Sequence, residues 1–187
     1  MQWLVQTQGE NLTQGTILHG VDFGYGEYNP LCIVLSNACD FEHDKLSFVL
    51  LAVLDPAKET LENSKEVKAL IGENGIEGMT KKSKEALLKL YSEKINNKTI
   101  GRYYFMDPKP VIDMDPLLVD FQHVISFDYD KLKAFVDNGK IVILGRMNHP
   151  FVEQMMLQYV GYTGRVPSDR VTPEEEAELA KTLMGLK

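Results

Sequence analysis

The stretch that decides the fold is Pro30–Leu54, PLCIVLSNACDFEHDKLSFVLLAVL. It contains two short runs of β-branched and large aliphatic residues, Leu31–Leu35 and Phe48–Leu54. A strand with one face in water alternates apolar and polar side chains, whereas these runs are apolar at consecutive positions. They therefore predict two neighbouring strands that are covered on both faces. The polar connector Ser36–Ser47 joins the strands, and we expect any chemistry where this hairpin reaches the surface.

The composition is that of an acidic globular protein. Of the 187 residues, 44% are hydrophobic, and the formal net charge is −7. Phosphate contacts need a basic face, so this charge argues against bulk DNA binding but is compatible with a local basic groove. Two cysteines make no disulfide framework, the first residues lack the features of a signal peptide, and no apolar run approaches the roughly 18 residues of a membrane span. We expect a cytoplasmic protein with no membrane contact.

Further strands are predicted on both sides of the hairpin. Residues 16–23 alternate, so that one face carries the apolar side chains Ile17, Val21 and Phe23. Residues 102–106 are rich in aromatic residues and form the next strand. Residues 117–127 alternate again and place on one face Val119, Phe121 and Ile125.

Residues 57–98 differ from the rest because they are rich in Lys, Glu, Ala and Leu. We interpret them as an inserted helical pair, Lys58–Ile71 and Thr80–Ile95, in which Thr80 is the N-cap of the second helix. Glycines separate the two segments. The Lys-Glu surface of the pair is expected to be solvated, and a partner surface is the alternative.

The C-terminal part is predicted to be mainly helical. Asp128 is placed to cap a short helix, Tyr129–Val136, and Phe151–Tyr162 carries apolar residues at helical spacing. Thr172 begins a final helix that ends near Met184. The run Ile141–Leu144 is compatible with a strand or with the start of a helix, because short apolar runs do not distinguish the two.

Part of this order resembles a known family. The segment Gly15-Thr16-Ile17, a glycine-rich turn that ends at Pro30, and Ile33-Val34-Leu35-Ser36-Asn37 before a second apolar strand resemble the N-terminal half of the MazF/PemK family. The strand Val119–Phe127 with its following helix is similar to the end of the same barrel. The resemblance implies an α+β fold: a small Src-homology-3-like β-barrel with an inserted helical pair and C-terminal helices.

On this interpretation the chain is a single domain, residues 1–187. The barrel takes residues 1–56 and 99–138, the helical insertion takes 57–98, and a helical C-terminal extension takes 140–187.

The resemblance also implies an activity. Many MazF/PemK proteins cut single-stranded RNA without a metal, using an arginine before the proline of the second strand and a Ser or Thr after the third. In this chain Asn29 precedes Pro30, and Ala52 and Asp55 lie around the hydroxyl position. A looser resemblance, carried by Leu35–Asp40, is to uncharacterised bacterial proteins with a Leu-Ser/Thr-x-x-Cys-Asp stretch, which suggest no activity.

The connector supplies the candidate catalytic residues Cys39, Asp40 and His43. A Cys39 thiolate with His43 or His19 as its base and Asp40 to orient the base is a chemically complete nucleophilic site. Cys39 and His43 are four residues apart and could instead bind zinc together with His19 and His123. No CxxC or HxxxH pair supports a metal, so none is predicted. The interpretation that the sequence favours is a third one, a small buried thiol at a strand end beside a solvated acidic turn.

Four charged residues are candidate binding residues: Lys45, Arg102, Asp120 and Arg165. Asp120 lies between two apolar strand residues, so it points away from them and could pair with Arg102 or Lys45, or act as a catalytic carboxylate. The cations among the four, together with Arg146, could line a groove for RNA. Arg165 could equally form a surface ion pair.

Two functional hypotheses follow from these observations, and the sequence favours the first of them. The first is a non-catalytic interaction or regulatory protein of bacterial type, which binds a protein partner or itself through the barrel and its added helices. The second is a divergent metal-independent endoribonuclease, or a component of a toxin–antitoxin or phage-defence system. Neither hypothesis requires a cofactor.

Overall fold

The computed structural model describes residues 2–6, 12–24, 31–43, 45–72, 75–98 and 101–164. Their strands are β1 (Leu4–Val5), β2 (Thr16–His19), β3 (Leu31–Val34), β4 (Phe48–Pro56), β5 (Tyr103–Met106), β6 (Leu117–Asp128) and β7 (Val142–Met147). Their helices are α1 (Ala38–Glu42), α2 (Ala57–Glu62), α3 (Lys65–Ile71), α4 (Lys81–Ile95), α5 (Tyr129–Asp137) and α6 (Phe151–Thr163). The α+β class expected from the sequence is confirmed.

The seven strands form one antiparallel sheet in the order β1-β7-β2-β3-β4-β6-β5. The sheet curls into a half-barrel, because Trp3, next to edge strand β1, packs edge-on against Tyr104 and Phe105 of the other edge strand at 6.2 and 6.1 Å between ring centroids. Trp3 also stacks on Phe151 of α6 at 4.3 Å. Aromatic side chains, rather than a backbone ladder, bring the two edges of the sheet together in the described part of the chain.

The central hairpin is formed by β3 and β4, with Ile33 opposite Ala52. Residues 32–34 and 51–54 are buried, as two covered faces require. Phe48 is 60% exposed, because β3 ends before it and leaves the first part of β4 without a neighbour on that side. The prediction of a buried hairpin is therefore confirmed for its centre and wrong for the start of β4.

Two of the predicted strand faces were wrong. The strand predicted over residues 16–23 ends at His19, and Gly20 with φ +96° turns the backbone, so Val21 joins the apolar cluster of Leu18 instead of the cluster of Ile17. In β6 the register steps from Val53 opposite Asp120 to Ala52 opposite Val124, which leaves residues 121–123 as an irregularity.

This irregularity inserts an odd number of residues, so the side chains after it point to the opposite face from the one that simple alternation predicts. As a result Ile125 packs with the cluster around Val49 and Leu132, whereas Phe121 packs with the cluster around Ile33 and Phe151.

The inserted helical segment contains three helices instead of the predicted pair. The segment predicted as one helix over residues 58–71 breaks at Asn63, and the Ser64 side chain then caps α3 by accepting a hydrogen bond from the backbone N–H of Val67. The predicted caps Thr80 and Asp128 are confirmed, since each accepts a hydrogen bond from the third backbone N–H of its helix.

The segment predicted as a helical C-terminal extension begins with a strand. β7 lies between β1 and β2, so the sheet continues past residue 138, where we had expected the barrel to end. α6 agrees with the predicted helix over residues 151–162, and the helix predicted near 172–184 lies outside the described residues. No described helix has the length and apolar character that crossing a membrane requires.

Candidate active site

A buried ion pair joins the two strands at one edge of the sheet. Arg102, directly before β5, donates hydrogen bonds from Nε and Nη2 to the two carboxylate oxygens of Asp120 in β6, at 2.7 and 2.5 Å. The Asp120 side chain is 1% exposed and the Arg102 side chain 43% exposed. The backbone N–H of Gln122 also donates to Asp120, at 2.9 Å. Of the two partners that the sequence allowed for Asp120, the structure selects Arg102 and not Lys45.

The guanidinium of Arg102 is held in one orientation and remains charged. It lies over the ring of Tyr103, 4.7 Å from the centroid, and its hydrogen bond with Asp120 raises its pKa further. The N–H groups that do not bind Asp120 have no hydrogen-bond partner among the described residues. A fixed, half-exposed guanidinium with unused donors is suited to bind an oxyanion such as a phosphate.

Asp55 is a second carboxylate near this pair. It lies at the end of β4, is half-buried, and has a raised pKa, first because of desolvation and second because of the negative charge of Asp120. His123 and Arg102 act on Asp55 in the opposite direction and lower its pKa. Asp55 is opposite Leu118 and Asp120 is opposite Val53, so the two carboxylates lie on the same face of the β4–β6 pair, and Arg102 binds Asp120 there.

The backbone irregularity of β6 contributes His123 to this group. Residues 121–123 are the extra residues between the registers of Asp120 and Val124, and such bulges redirect side chains. Acid–base catalysis uses side chains of these kinds: a carboxyl group with a raised pKa, a histidine and a fixed arginine. We call Asp55, Arg102, Asp120 and His123 the charged cluster.

Sequence reasoning found Arg102 and Asp120 but did not assign Asp55 and His123 to the same site. Asp55 was noted only for its position near an expected hydroxyl, and His123 only as a possible zinc ligand. No local signal distinguished Asp55, because aspartate and proline commonly mark the end of a strand. No pattern in the sequence shows the β6 irregularity that brings His123 into the cluster.

The environment of Asp55 predicts a pH-dependent effect of the Asp55→Asn substitution on stability. Burial raises the pKa of Asp55 above the ordinary value of 3.8, so the ionised side chain is less favourable in the folded than in the unfolded protein. The free energy of unfolding of the wild type therefore falls as the pH rises from 3.8 through the raised pKa. Asp55→Asn should therefore be more stable than wild type at neutral pH and equal to it below pH 3.8. Urea unfolding at both pH values measures the difference; a variant less stable at neutral pH would contradict the assigned environment.

A groove adjoins the charged cluster. It has a volume of about 210 Å³ and lies between helices α2 and α3, the end of α4, and Gly101–Tyr103. Asn97 joins the end of α4 to β5: its side-chain amide accepts a hydrogen bond from the N–H of Phe105 at 2.7 Å and donates one to the carbonyl of Phe105 at 2.8 Å. Arg102 belongs to both the groove and the charged cluster, and Tyr103, whose ring lies under the guanidinium of Arg102, lines the groove as well.

The connector lies at the other end of β4. Phe48 begins that strand and Val53 is opposite Asp120, so about 17 Å of extended chain separates the connector from the ion pair. Lys45 is exposed within the connector, so the structure does not bring it to Arg102 and Asp120. The fourth predicted binding residue, Arg165, lies outside the described residues.

The predicted catalytic residues of the connector do not form a site with the other histidines. Cys39 is exposed on α1, and the side chains of Cys39, Asp40 and His43 make no hydrogen bond or ion pair with another described residue. His19 lies beside the start of β3, whereas the connector follows the end of β3, so the two are separated by the length of that strand.

His123 belongs to the charged cluster instead of the connector. The described residues contain no group of three or more His, Cys, Asp or Glu side chains that could hold a metal ion. The expected buried thiol at Cys39 is wrong as well, because α1 turns Phe41 inward onto Tyr129, with ring centroids 5.6 Å apart, and leaves Cys39 outside.

The exposure of the connector predicts small effects of substitution. Cys39→Ala and His43→Ala should each change the free energy of unfolding by less than about 0.5 kcal/mol, because neither side chain has a described partner to lose. Both variants should also retain any activity of the charged cluster. Thermal unfolding and the activity assay described below measure both effects, and loss of activity in a stably folded Cys39→Ala protein would return the connector to the list of catalytic candidates.

The chain is similar to known proteins in structure but not in sequence. No protein-family model matches the chain, and no curated protein matches it. Among solved structures, it is similar to an endoribonuclease in complex with its cognate antitoxin from Mycobacterial species, with 84% of this chain and 100% of that chain covered, 12% sequence identity and a TM-score of 0.44. An endoribonuclease with an antitoxin is the general kind of protein to which the MazF/PemK resemblance pointed. At this level of similarity no family is identified and no residue role transfers.

Proposed function

We propose that the protein cleaves single-stranded RNA without a metal ion, by acid–base catalysis in the charged cluster. The observation that carries this proposal is the placement of Asp55 and Asp120 on one face of the β4–β6 pair, with the half-exposed guanidinium of Arg102 fixed on Asp120. His123 follows Asp120 by three residues, within the β6 irregularity. The proposal corresponds to the second of the two hypotheses drawn from the sequence. The candidate catalytic residues of the connector have no part in it.

Each member of the cluster has a defined role in the proposed reaction. His123 takes the proton of a ribose 2′-hydroxyl, whose oxygen attacks the adjacent phosphorus. The bond from phosphorus to the 5′-oxygen breaks, and that oxygen receives the proton of the Asp55 carboxylic acid. The products are a 2′,3′-cyclic phosphate and a 5′-hydroxyl, so atoms and electrons balance without a further reactant.

Arg102 stabilises the charge that develops on the phosphoryl oxygens during this reaction. Asp120 does not contact the substrate and is a positioning residue, because its two oxygens fix the guanidinium plane. The raised pKa of Asp55 supports its role as the acid, since a carboxyl group must keep its proton to donate it.

The acidic charge of the chain limits the kind of RNA complex that this site forms. With a net charge of −7, the protein attracts a polyanion only where a cation is locally exposed. One fixed arginine serves one phosphate, so binding should be weak and should depend only slightly on salt. Cleavage after a transient encounter is compatible with this, whereas tight binding to long RNA is not.

The test is an assay of the full-length protein on end-labelled single-stranded RNA of randomised sequence, in low salt with EDTA. The proposal predicts fragments that end in a 2′,3′-cyclic phosphate, and no cleavage of the matching DNA, which lacks the attacking hydroxyl. Cleavage that requires an added metal, or no cleavage of any sequence in the pool, would overturn the proposal.

A second candidate function, a protein-interaction module, is favoured by a different observation. Leu157 and Val160 lie three residues apart on α6 and are 73% and 62% exposed within the described part of the chain. Large apolar side chains exposed together are typical of protein interfaces. Light scattering measures the mass in solution of the wild type and of a Leu157→Ser, Val160→Ser variant. If the protein binds itself through this surface, the wild type is a dimer and the variant a monomer.

A further inference from the structure

We propose that the groove between α2, α3, α4 and Gly101–Tyr103 binds one nucleobase of the RNA whose phosphate lies at Arg102. This inference rests on the proposed function and adds a specificity site to it. Three observations support it: the size of the groove, the arrangement of its polar and apolar walls, and its continuity with the charged cluster.

The size of the groove limits its occupant to one small ring system. Pockets for drug-sized ligands measure about 300–1,000 Å³, whereas this groove measures about 210 Å³. A folded peptide segment or a complete dinucleotide exceeds this volume. A single purine or pyrimidine does not.

The walls of the groove suit a flat, uncharged ring with polar edges. Leu90 is a partly exposed apolar side chain in the wall, and Leu61 and Val67 are buried behind the surface. The polar wall carries two carboxylates, Glu66 and Glu93, beside the ammonium of Lys94. Because Arg102 is already paired with Asp120, the other groups leave a small negative charge, which disfavours an anionic occupant within the groove itself.

Carboxylates and an ammonium complement the edges of a nucleobase. The exocyclic amino groups of bases donate hydrogen bonds, which Glu66 and Glu93 can accept, and base carbonyl and ring nitrogen atoms accept from Lys94. The groove contains both kinds of partner, so it can distinguish one base edge from another. An aliphatic side chain would leave these charged groups unpaired on binding, at a cost in affinity.

Continuity with the cluster connects the base to the reaction. Arg102 and Tyr103 line the groove, and the same Arg102 contacts Asp120 within the cluster. A phosphate on Arg102 therefore has its attached nucleoside at the opening of the groove. Binding energy from the base then positions the phosphate for attack, so loss of the base should lower the rate as well as the affinity.

The experiment compares two tryptophan variants of α2. Thr60→Trp places a large side chain in the groove, whereas Glu59→Trp places the same side chain on the exposed surface one residue earlier. Cleavage rates are measured on RNA with a normal base, or with an abasic ribose, next to the scissile phosphate. Glu59 belongs neither to the groove nor to the charged cluster, so Glu59→Trp should cleave both RNAs at the wild-type rates.

The wild type and Glu59→Trp should cleave the normal RNA about tenfold faster than the abasic RNA, and Thr60→Trp should lose this difference. Equal rates of the wild type on the two RNAs, or full discrimination in Thr60→Trp, would overturn the inference while leaving the proposed function intact.

A second measurement remains decisive if the wild type cleaves no RNA at all. Adenosine, cytidine, guanosine and uridine are titrated separately at millimolar concentrations and followed by NMR of the backbone amides. The inference predicts that at least one nucleoside shifts the resonances of α3 and α4 residues in wild type and in Glu59→Trp, but not in Thr60→Trp. If no nucleoside shifts these resonances, the groove is not a base site.

Discussion

Replacing Arg102 with methionine should lower the free energy of unfolding by about 3 kcal/mol. The substitution keeps the aliphatic volume but leaves the carboxylate of Asp120, which is 1% exposed, without its cationic partner. Removal of one partner from a buried ion pair costs about 3–5 kcal/mol, because the remaining charge is desolvated and unpaired. We expect the lower end of this range, since Arg102 itself is 43% exposed and water screens part of the interaction. Urea unfolding monitored by Trp3 fluorescence measures the loss.

Two comparisons separate the loss of the ion pair from a general effect of removing a cation. Lys109→Met removes a lysine that lies 3.9 Å from Asp113 and Asp115 at the surface, and it should leave stability essentially unchanged. The double variant Arg102→Met, Asp120→Leu should be more stable than Arg102→Met alone, because no buried charge remains. If Arg102→Met unfolds at the same urea concentration as wild type, the ion pair does not form as described.

Asp55→Asn and His123→Gln should each reduce the rate of RNA cleavage by about 10²–10⁴-fold, the usual contribution of a general acid or base. Asparagine keeps the shape of Asp55 but cannot donate the proton that the leaving oxygen needs. Glutamine at position 123 likewise lacks the basic nitrogen of the imidazole. The rates are measured at saturating RNA, so that a change in affinity does not enter.

The pH profile tests the role of Asp55 separately from its packing. Wild-type activity should fall as the pH rises through the raised pKa of Asp55, because the acid then loses its proton. The charged groups that face Asp55 are Asp120 and His123 from β6 and Arg102 before β5. The residual activity of Asp55→Asn should show no such decline.

Matched controls are available in the exposed part of the chain. His149→Gln changes a histidine whose side chain is 80% exposed and pairs with Glu153, and Asp113→Asn changes a fully exposed carboxylate. Both should cleave RNA at the wild-type rate. If Asp55→Asn retains full activity while folded, the carboxylate is not the acid, and the proposed division of roles is wrong.

The secondary structure was largely predictable because local patterns determine it. Consecutive apolar residues in two short runs predicted β3 and β4. The capping residues Thr80 and Asp128 predicted the starts of α4 and α5. Predictions failed where one or a few residues interrupt a regular strand and change the direction of the chain or of its side chains. Gly20 ends β2 early, and three extra residues in β6 change which face its later side chains take.

The candidate site was less predictable, because its members are distant in sequence. Asp55, Arg102 and Asp120 are brought together by the pairing of β4 with β6 and of β6 with β5. The connector attracted attention because Cys39, Asp40 and His43 are close in sequence. Closeness in sequence on an exposed five-residue helix did not produce contact between their side chains.

The amino-acid sequence by itself determined the two-faced burial at the centre of the hairpin and the capped helices, since both depend on the order of neighbouring residues, and the acidic charge, which depends on composition alone. Only the tertiary structure decided that β7 completes the sheet, that Asp120 pairs with Arg102 instead of Lys45, and that Asp55 lies on the same face as Asp120. These features depend on strand register, and a one-residue change of register moves a side chain to the other face of the sheet. Register is fixed by the packing of the whole core, which no short stretch of the sequence contains.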